Sequence, residues 1–516
     1  MKFIFLSLFV TFIGFFYSNL SAQNNAKSGD YYYKVSTYDR AIKAYKRELR
    51  KKNNDSQILY KIVDSYLNSN LNRAEALPFV KQLVEKDRSP ETVYLHAKVL
   101  FYAYKFPEAI SEFEWVKMHV THEDELYRQS GIYIQWILNA NAYMVSPVDV
   151  TFINLGKSIN TNKSELNPFV SVNDDNLVYS SNKRYLSKIG ANCYNVCKSN
   201  RLKNTWQKAK TLNYYVNSGY DEIVGGYAKD ADRLFVFHNR EGNEKIAYAS
   251  PAGKMKYSLL EDFGYPIDRK GGEFGIWSSE SSDTLIFAGE NDKGNTDLFY
   301  SLKLPDGSYG EARPMSGYIN TSYDENFPVL CNGGKRLYFS SNGEFSMGGF
   351  DLFYSDWDEE TKEWRRPVNL GYPVNDVYDN YSISKPRGKR YAYVSALKDG
   401  GYGERDIYKV LFKEEEPNSL ILRCNTFLDT DSGKVLPPFV IRAELRDSVD
   451  NKLVGSYRVS GDSARFVMAI MPGKYRLIFK NGVKDLYSLY YEVPEMWYSN
   501  EAFNQEFIIP YKNEEE

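Results

Sequence analysis

The chain has 516 residues, with 65 basic and 67 acidic side chains and a net charge of −2. That length exceeds one domain and predicts two to four. The near-neutral balance excludes a nucleic-acid partner or an anionic lipid surface recognised by bulk charge. Aromatic residues make up 16 % of the chain, with 44 Tyr, 30 Phe and 34 Gly. Such a composition predicts strands and turns over much of the length.

The first element is an export signal. Lys2 precedes an unbroken apolar run, Phe3 to Phe16 (FIFLSLFVTFIGFF). This run is too short to cross about 30 Å of hydrocarbon comfortably. Tyr17 to Ala22 (YSNLSA) is polar and small, which places cleavage between Ala22 and Gln23 and the signal peptide at 1–22. No Cys lies near the cut, so a lipid anchor is not expected. No later run is long enough for a membrane helix, so the mature chain is expected without a transmembrane segment. The protein is read as exported, to the periplasm or the outer membrane's vicinity.

Residues 30–146 read as helices, because apolar positions recur three and four apart and Gly is rare. A period is visible. Ala41 with Tyr45, Ala76 with Val80, and Ala109 with Phe113 occupy matching places, spaced 35 and 33 residues. Ala97 sits twelve before Ala109, and Pro107 suits the first turn of a helix. Glu123 to Tyr143 reads as a closing helix. With its small residues at helix crossings, this stretch resembles tetratricopeptide repeats, which implies an open concave face for protein partners.

Residues 151–412 change to short apolar strands separated by Gly-, Asn- and Asp-rich turns. A unit recurs: a polar pair, an apolar strand, a turn, and a second strand ending in Ser-Ser. Its anchors are Glu165, Glu222, Glu273, Glu325 and Asn380, spaced 57, 51, 52 and 55 residues apart. A second echo (TDLFY, FDLFY, RDIYK) places Asp297, Asp351 and Asp406 at one repeat position. A third (INLGKSIN, LNYYVN, SGYIN, VNLGYPVN) precedes the anchors, and its first copy, near Ile153, precedes any complete unit. Four short strands per unit make one propeller blade. Five blades are predicted, or six with a degenerate one, with the strand near Ile153 closing the last. The repeats resemble the TolB-type, WD-like propeller repeat (acidic–x–x–Pro, Leu-Tyr-Phe-Ser-Ser, Gly-x-Asp-Ile-Tyr). Asp324 to Tyr354 matches nearly throughout, while the second blade has Gly225 in place of Pro.

Lys413 to Asn418 (KEEEPN) reads as a linker. Residues 419–511 then read as a small all-β module, with a turn at Asp431-Ser432-Gly433 and a Pro-Gly turn before an alternating strand at Met471 to Lys480. This resembles the carboxypeptidase-regulatory-like module, an immunoglobulin-like sandwich of seven short strands. The fold class is thus multidomain, α plus all-β.

Catalytic signals are sparse. There is no G-x-S-x-G elbow, no H-E-x-x-H, and no Walker or dinucleotide glycine pattern. His119 and His122, three apart, lack an evident third metal ligand. Asn291 to Asp297 (NDKGNTD) lacks the calcium-loop Glu and reads as a hairpin. Cys193 and Cys197 lie about 13 Å apart on a straight strand, beyond disulfide reach. No catalytic, cofactor-binding or metal residue is assigned, no cofactor is expected, and the chain is read as a non-enzyme. Asp297, Asp351 and Asp406 are assigned structural strand-turn roles, as are the anchors.

The order of helical repeats, propeller and regulatory-like module behind a signal resembles a family of envelope proteins from bacteria with type IX secretion and gliding motility. Such proteins commonly end in an OmpA-type domain that binds peptidoglycan. None is seen before Glu516, so peptidoglycan binding is not expected of this chain itself. The resemblance implies a scaffold or adaptor whose partners are other envelope proteins. Two alternatives are a carbohydrate-binding surface protein, favoured by exposed aromatics, and a propeller-based hydrolase, favoured by carboxylates or a His converging in the central funnel.

Overall fold

A computed structural model describes residues 28–52, 55–187, 190–228, 233–240, 243–253, 255–268, 275–279, 281–413, 420–431, 433–459, 464–471, 473–493 and 504–511. The signal segment with Ala22 and Gln23, the anchor Glu273, and nearly all of the KEEEPN linker lie outside them.

The N-terminal region is helical: α1 (Gly29–Lys34), α2 (Tyr38–Leu49), α3 (Ser56–Leu67), α4 (Leu77–Lys86), α5 (Pro90–Tyr102), α6 (Phe106–His119) and α7 (Glu125–Val145). Their starts carry the expected signals. Side chains of Ser28, Asp55 and Asp124 accept from first-turn amides of α1, α3 and α7, and Pro occupies the first turn of α4, α5 and α6. Ala41, Ala76, Ala97 and Ala109 are fully buried. With only a methyl group each, they let neighbouring helix backbones approach. Larger rings fill the remaining space: Tyr133 stacks on Phe113 with centroids 5.1 Å apart and meets Phe101 edge-on at 5.3 Å.

Among the described residues of 150–412, five antiparallel blade sheets are arranged in a ring, each a four-strand meander, with short added hairpins beside some. Blade 1 holds Glu165–Val170, Asn176–Leu186, Ala191–Leu202 and Lys210–Thr211. Blade 2 holds Glu222–Ala228, Arg233–Arg240, Asn243–Ala249 and Glu261–Asp262. Blade 3 holds Ile276–Ser278, Thr284–Glu290, Thr296–Leu302 and Arg313–Pro314. Blade 4 holds Glu325–Cys331, Arg336–Ser341, Asp351–Asp358 and Val368–Asn369. Blade 5 takes Ile383–Ser384, Tyr391–Ala396 and Asp406–Phe412 from the end of the region, and Val150–Asn154 from its beginning. This early strand pairs antiparallel with the last, Val150 opposite Phe412 and Asn154 opposite Tyr408. Pairing the first strand with the last removes a free edge.

The acidic–x–x–Pro pattern has a backbone cause. In blades 1 and 4 the inner strand bulges after its second residue, at Asn167 (φ 50°) and Phe327 (φ 47°). Pro168 and Pro328 follow within the unpaired step, where a missing N–H costs no ladder bond. Gly225 takes that unpaired place in blade 2. Five inner strands around one axis also crowd each other. A Cβ on Gly226 would lie 1.9 Å from the Ile276 carbonyl oxygen, and one on Gly275 would lie 2.4 Å from the Phe327 Cα. Both positions therefore exclude any side chain.

The C-terminal module is two facing sheets. One contains Leu420–Thr430, Gly433–Val435, Arg465–Ile470 and Asn504–Pro510; the other contains Ile441–Asp447, Leu453–Val459, Gly473–Asn481 and Lys484–Val493. Phe466, Phe479 and Phe507 bridge them, with Phe479 and Phe507 5.3 Å apart. Eight described strands stand where seven are predicted, and Arg423–Asp429 pairs in parallel with Asn504–Pro510. Cys193, Cys197 and Cys424 are free and buried, and Cys331 is half-buried.

Candidate interaction face

Each described anchor closes a turn. In blade 4 the Glu325 carboxylate accepts from the Thr321 amide (3.0 Å), the Thr321 hydroxyl (2.7 Å) and the Ser341 hydroxyl (2.9 Å). Blade 1 repeats this with Glu165, Thr161 and Ser181. In blade 2 Ser218 donates to Glu222, and His238 sits opposite Glu222 where blades 1 and 4 have Ser. In blade 5 the anchor is an amide, and Asn380 accepts from the Asp376 amide at 3.0 Å. The recurring Ser-Ser is thereby explained. In blade 1 the second Ser, Ser181, serves its own anchor; the first, Ser180, accepts from the Val224 amide of the next blade at 2.8 Å.

The third-strand aspartates do similar work. Asp351 accepts from the Met347 amide (2.8 Å) and Asn369 (2.7 Å), and Asp406 from the Tyr402 amide (2.6 Å) and Asn154 (2.7 Å). Asp297 accepts from Asn291 at 2.8 Å, so NDKGNTD is a hairpin knotted by its own side chains. The Asn ending each copy of the third echo has a role that sequence reasoning missed. Asn160, Asn217, Asn320 and Asn375 each accept from a third-strand amide at 2.7–2.8 Å (Ile407, Val196, Leu298, Leu352). Each also donates back to that same residue's carbonyl. A side-chain amide thus stands in for a strand. Its recurrence was the available signal.

The anchors do not converge on one site. Each is spent within its own blade, and at Glu165 and Glu325 burial outranks the donors around the carboxylate. Burial pushes the Glu165 carboxyl up to about 7 and Glu325 up to about 8, and raises Asp351 well above the usual range. Among the described residues no group of three His, Cys, Asp or Glu is placed to hold a metal. His119 stacks on Trp115 at 3.7 Å and His122 packs edge-on to Tyr127.

The anchor turns instead carry the contacts between modules. All of them lie on one face of the ring, together with the loops that join second to third strands. The helical region sits on this face over blades 4, 5 and 1. Asn139 of α7 donates to the Glu344 and Ser346 carbonyls at 2.9 and 2.7 Å. Asn70 donates to Tyr194 and Asn72 accepts from Tyr378. Arg73, 3 % exposed, faces Asp379 at 3.9 Å, with its guanidinium over the rings of Tyr102 and Tyr378. Lys163 pairs with Asp39 of α2 at 2.7 Å and with Glu404 at 3.5 Å. The sandwich meets the same face at blade 4, where Arg423 binds Glu344.

Two hollows lie along these seams. One, of about 810 Å³ between α2, α3 and blades 1 and 5, is lined by Arg40, Lys43, Lys46, Tyr66, Lys163 and Glu404 among others. The other, of about 420 Å³ between blade 4 and the sandwich, is lined by Tyr323, Glu325, Phe345, Phe353, Arg366 and Arg423 among others.

No family model matches the chain, and no curated protein matches it. Among solved structures it is similar to TolB from Acinetobacter baumannii, at 11 % identity and a TM-score of 0.31, over 52 % of this chain and 64 % of that one. It is similar to a TolB from Agrobacterium tumefaciens described as putative, at 10 % identity and TM-score 0.31, over 62 % and 97 %. A thermostable family-43 glycoside hydrolase gives 12 % identity and TM-score 0.33 over 50 % and 96 %. Likeness this distant carries no argument about activity or partner. Among the described residues no helix is long and apolar enough to cross a membrane.

Proposed function

We propose that this chain is a non-enzymatic scaffold of the bacterial envelope, working in the periplasm or against the outer membrane, in or beside a type IX secretion or gliding machine. Helical repeats of the tetratricopeptide kind, a TolB-type propeller and a regulatory-like sandwich are its three interaction modules. The observation that carries this reading is how the repeat carboxylates are used. Glu165, Glu325, Asp351 and Asp406 are consumed in holding turns, and those turns present one face on which other modules dock. A site built for docking rather than turnover fits an adaptor.

The test has two parts. Fractionation of cells should place the protein in the envelope with residues 1–22 removed, read by mass spectrometry of its N-terminus. Crosslinking of intact envelopes followed by capture should recover outer-membrane or secretion components. A cytoplasmic, uncleaved protein, or capture that recovers no envelope protein, would sink the proposal. Glycan binding by the purified chain would favour the carbohydrate reading, for which the exposed Tyr214 and Tyr215 are the supporting observation.

A further inference from the structure

The four described anchor turns are copies of one another, residue by residue. Each opens with a hydroxyl or carboxylate that caps the amide two residues on: Thr161 to Lys163 (3.2 Å), Ser218 to Tyr220 (3.2 Å), Thr321 to Tyr323 (3.1 Å) and Asp376 to Tyr378 (3.0 Å). Lys163, Tyr220, Tyr323 and Tyr378 therefore occupy one structural position, two before the anchor. Two of the four hold another module, and a third lines the seam with one. Lys163 holds α2 through Asp39. Tyr378 stacks on Tyr102 with centroids 5.3 Å apart, under the Arg73 guanidinium. Tyr323 lines the seam hollow together with Arg423 of the sandwich. The fourth, Tyr220, is 41 % exposed.

A second, independent equivalence points to the same half of the face. The turn FGYPID in blade 2 matches LGYPVN in blade 4, with Gly264 and Gly371 at φ 72° and 71°. Tyr372 of the second turn lies under the helices: its carbonyl accepts from Val148 at 2.7 Å and its ring packs against the helical core. Its twin Tyr265 is 84 % exposed, and Tyr214 in the preceding turn is 73 % exposed. Singly exposed aromatics need no explanation, but repeat positions filled elsewhere by a neighbour do.

The chemistry of the occupant can be read from the copy in blade 5, which shares both the tyrosine and the aspartate with blade 2. At the residue before the anchor, Asp379 accepts from the Phe350 amide with one oxygen and faces Arg73 with the other. Asp221 is its equivalent beside Tyr220, and accepts from the Tyr194 amide at 2.7 Å. Burial pushes the Asp221 carboxyl up to about 6 and raises Asp379 in the same way. Arginine is also the residue beside Tyr323 and above Tyr378.

We infer that the open half of the loop face, at Tyr214, Tyr220, Asp221 and Tyr265, is the docking site for a second protein, which seats an arginine against Asp221 and over Tyr220 as Arg73 is seated at Asp379 and Tyr378. This rests on the scaffold reading and names the surface through which it acts. The experiment places a photoreactive benzoylphenylalanine at position 220 of the full-length protein in the cells that make it, and maps the adducts by mass spectrometry. The expected adduct joins position 220 to a different envelope protein close to one of its arginines. That purified protein should then bind Tyr220→Ala and Asp221→Asn at least tenfold more weakly than wild type, with the unfolding midpoint of both variants unchanged. Adducts only to a glycan or to a second copy of this chain, no adduct, or unaltered affinity of the two variants would overturn the inference. Crosslinking of the wild-type protein separates the two claims. If it recovers envelope partners while position 220 captures none, the docking site falls and the scaffold reading stands. If it recovers none, both fall.

Discussion

Arg73 and Arg423 each fasten a module to the propeller, but in different surroundings. Arg73 is 3 % exposed and its partner Asp379 10 %, with aromatic rings on either side. Arg423 is 23 % exposed and Glu344 46 %, so water competes for the pair. The lesson is that ion pairs of similar composition carry different weight. A buried charge left alone cannot recover hydration, whereas an exposed one can. On this account the Arg73 pair is a buried tie and the Arg423 pair a salt-sensitive one, while the sandwich strand Arg465–Ile470 also packs against α7.

That contrast is open to attack in order of expected size. Arg73→Ala strands Asp379 in the seam and should cost about 3–5 kcal/mol in urea unfolding; a loss under about 1 kcal/mol would erase the distinction. The next effect comes from Glu325 beside the second seam. Its folded-state pKa of about 8 lies above the ordinary 4.5. The fold therefore holds more protons than the unfolded chain between those values, and stability falls as pH rises through that window. Glu325→Gln should flatten this decline, by on the order of 3 kcal/mol at its upper end. An unchanged slope of urea midpoint against pH would assign the decline to other groups. Arg423→Ala should cost less than about 1 kcal/mol and lose its effect in high salt. Smallest is the pair of twin tyrosines. Tyr265→Ala should stay within about 0.5 kcal/mol of wild type, while Tyr372→Ala, under the helices, costs measurably more. Equal costs would mean that the two halves of the face do not differ as described.

Much of the propeller was legible because a repeat announces itself. The spacing from Glu165 to Glu222, and from Glu325 to Asn380, falls on successive blades, and the early echo near Ile153 is the strand beside Phe412. Pro168 and Pro328 mark bulges that a chemist could have anticipated from the missing N–H. What those same residues do was less legible. That Asn160 or Asn375 substitutes for a strand depends on where a third strand's amides point, which no one-dimensional pattern records. The interaction face was hidden for another reason. Lys163, Tyr323 and Tyr378 look unrelated in the sequence, and only the shared hydrogen bond to the residue two before them shows that they are one position. Arg73, which sits in a helical turn of ordinary appearance, finds Asp379 some 300 residues later.

The strand Val150–Asn154 has a mechanical consequence. Only four residues separate it from the end of α7, and that link is itself pinned by Val148 to Tyr372 and Asp149 to Lys413. Tension applied to the helices is therefore met first by these pins and by the Asn139 and Arg73 contacts, and only when they give does it reach the outermost strand of blade 5. The ring and the helices share a load path, and a pull strong enough to detach five residues there would open the whole circle.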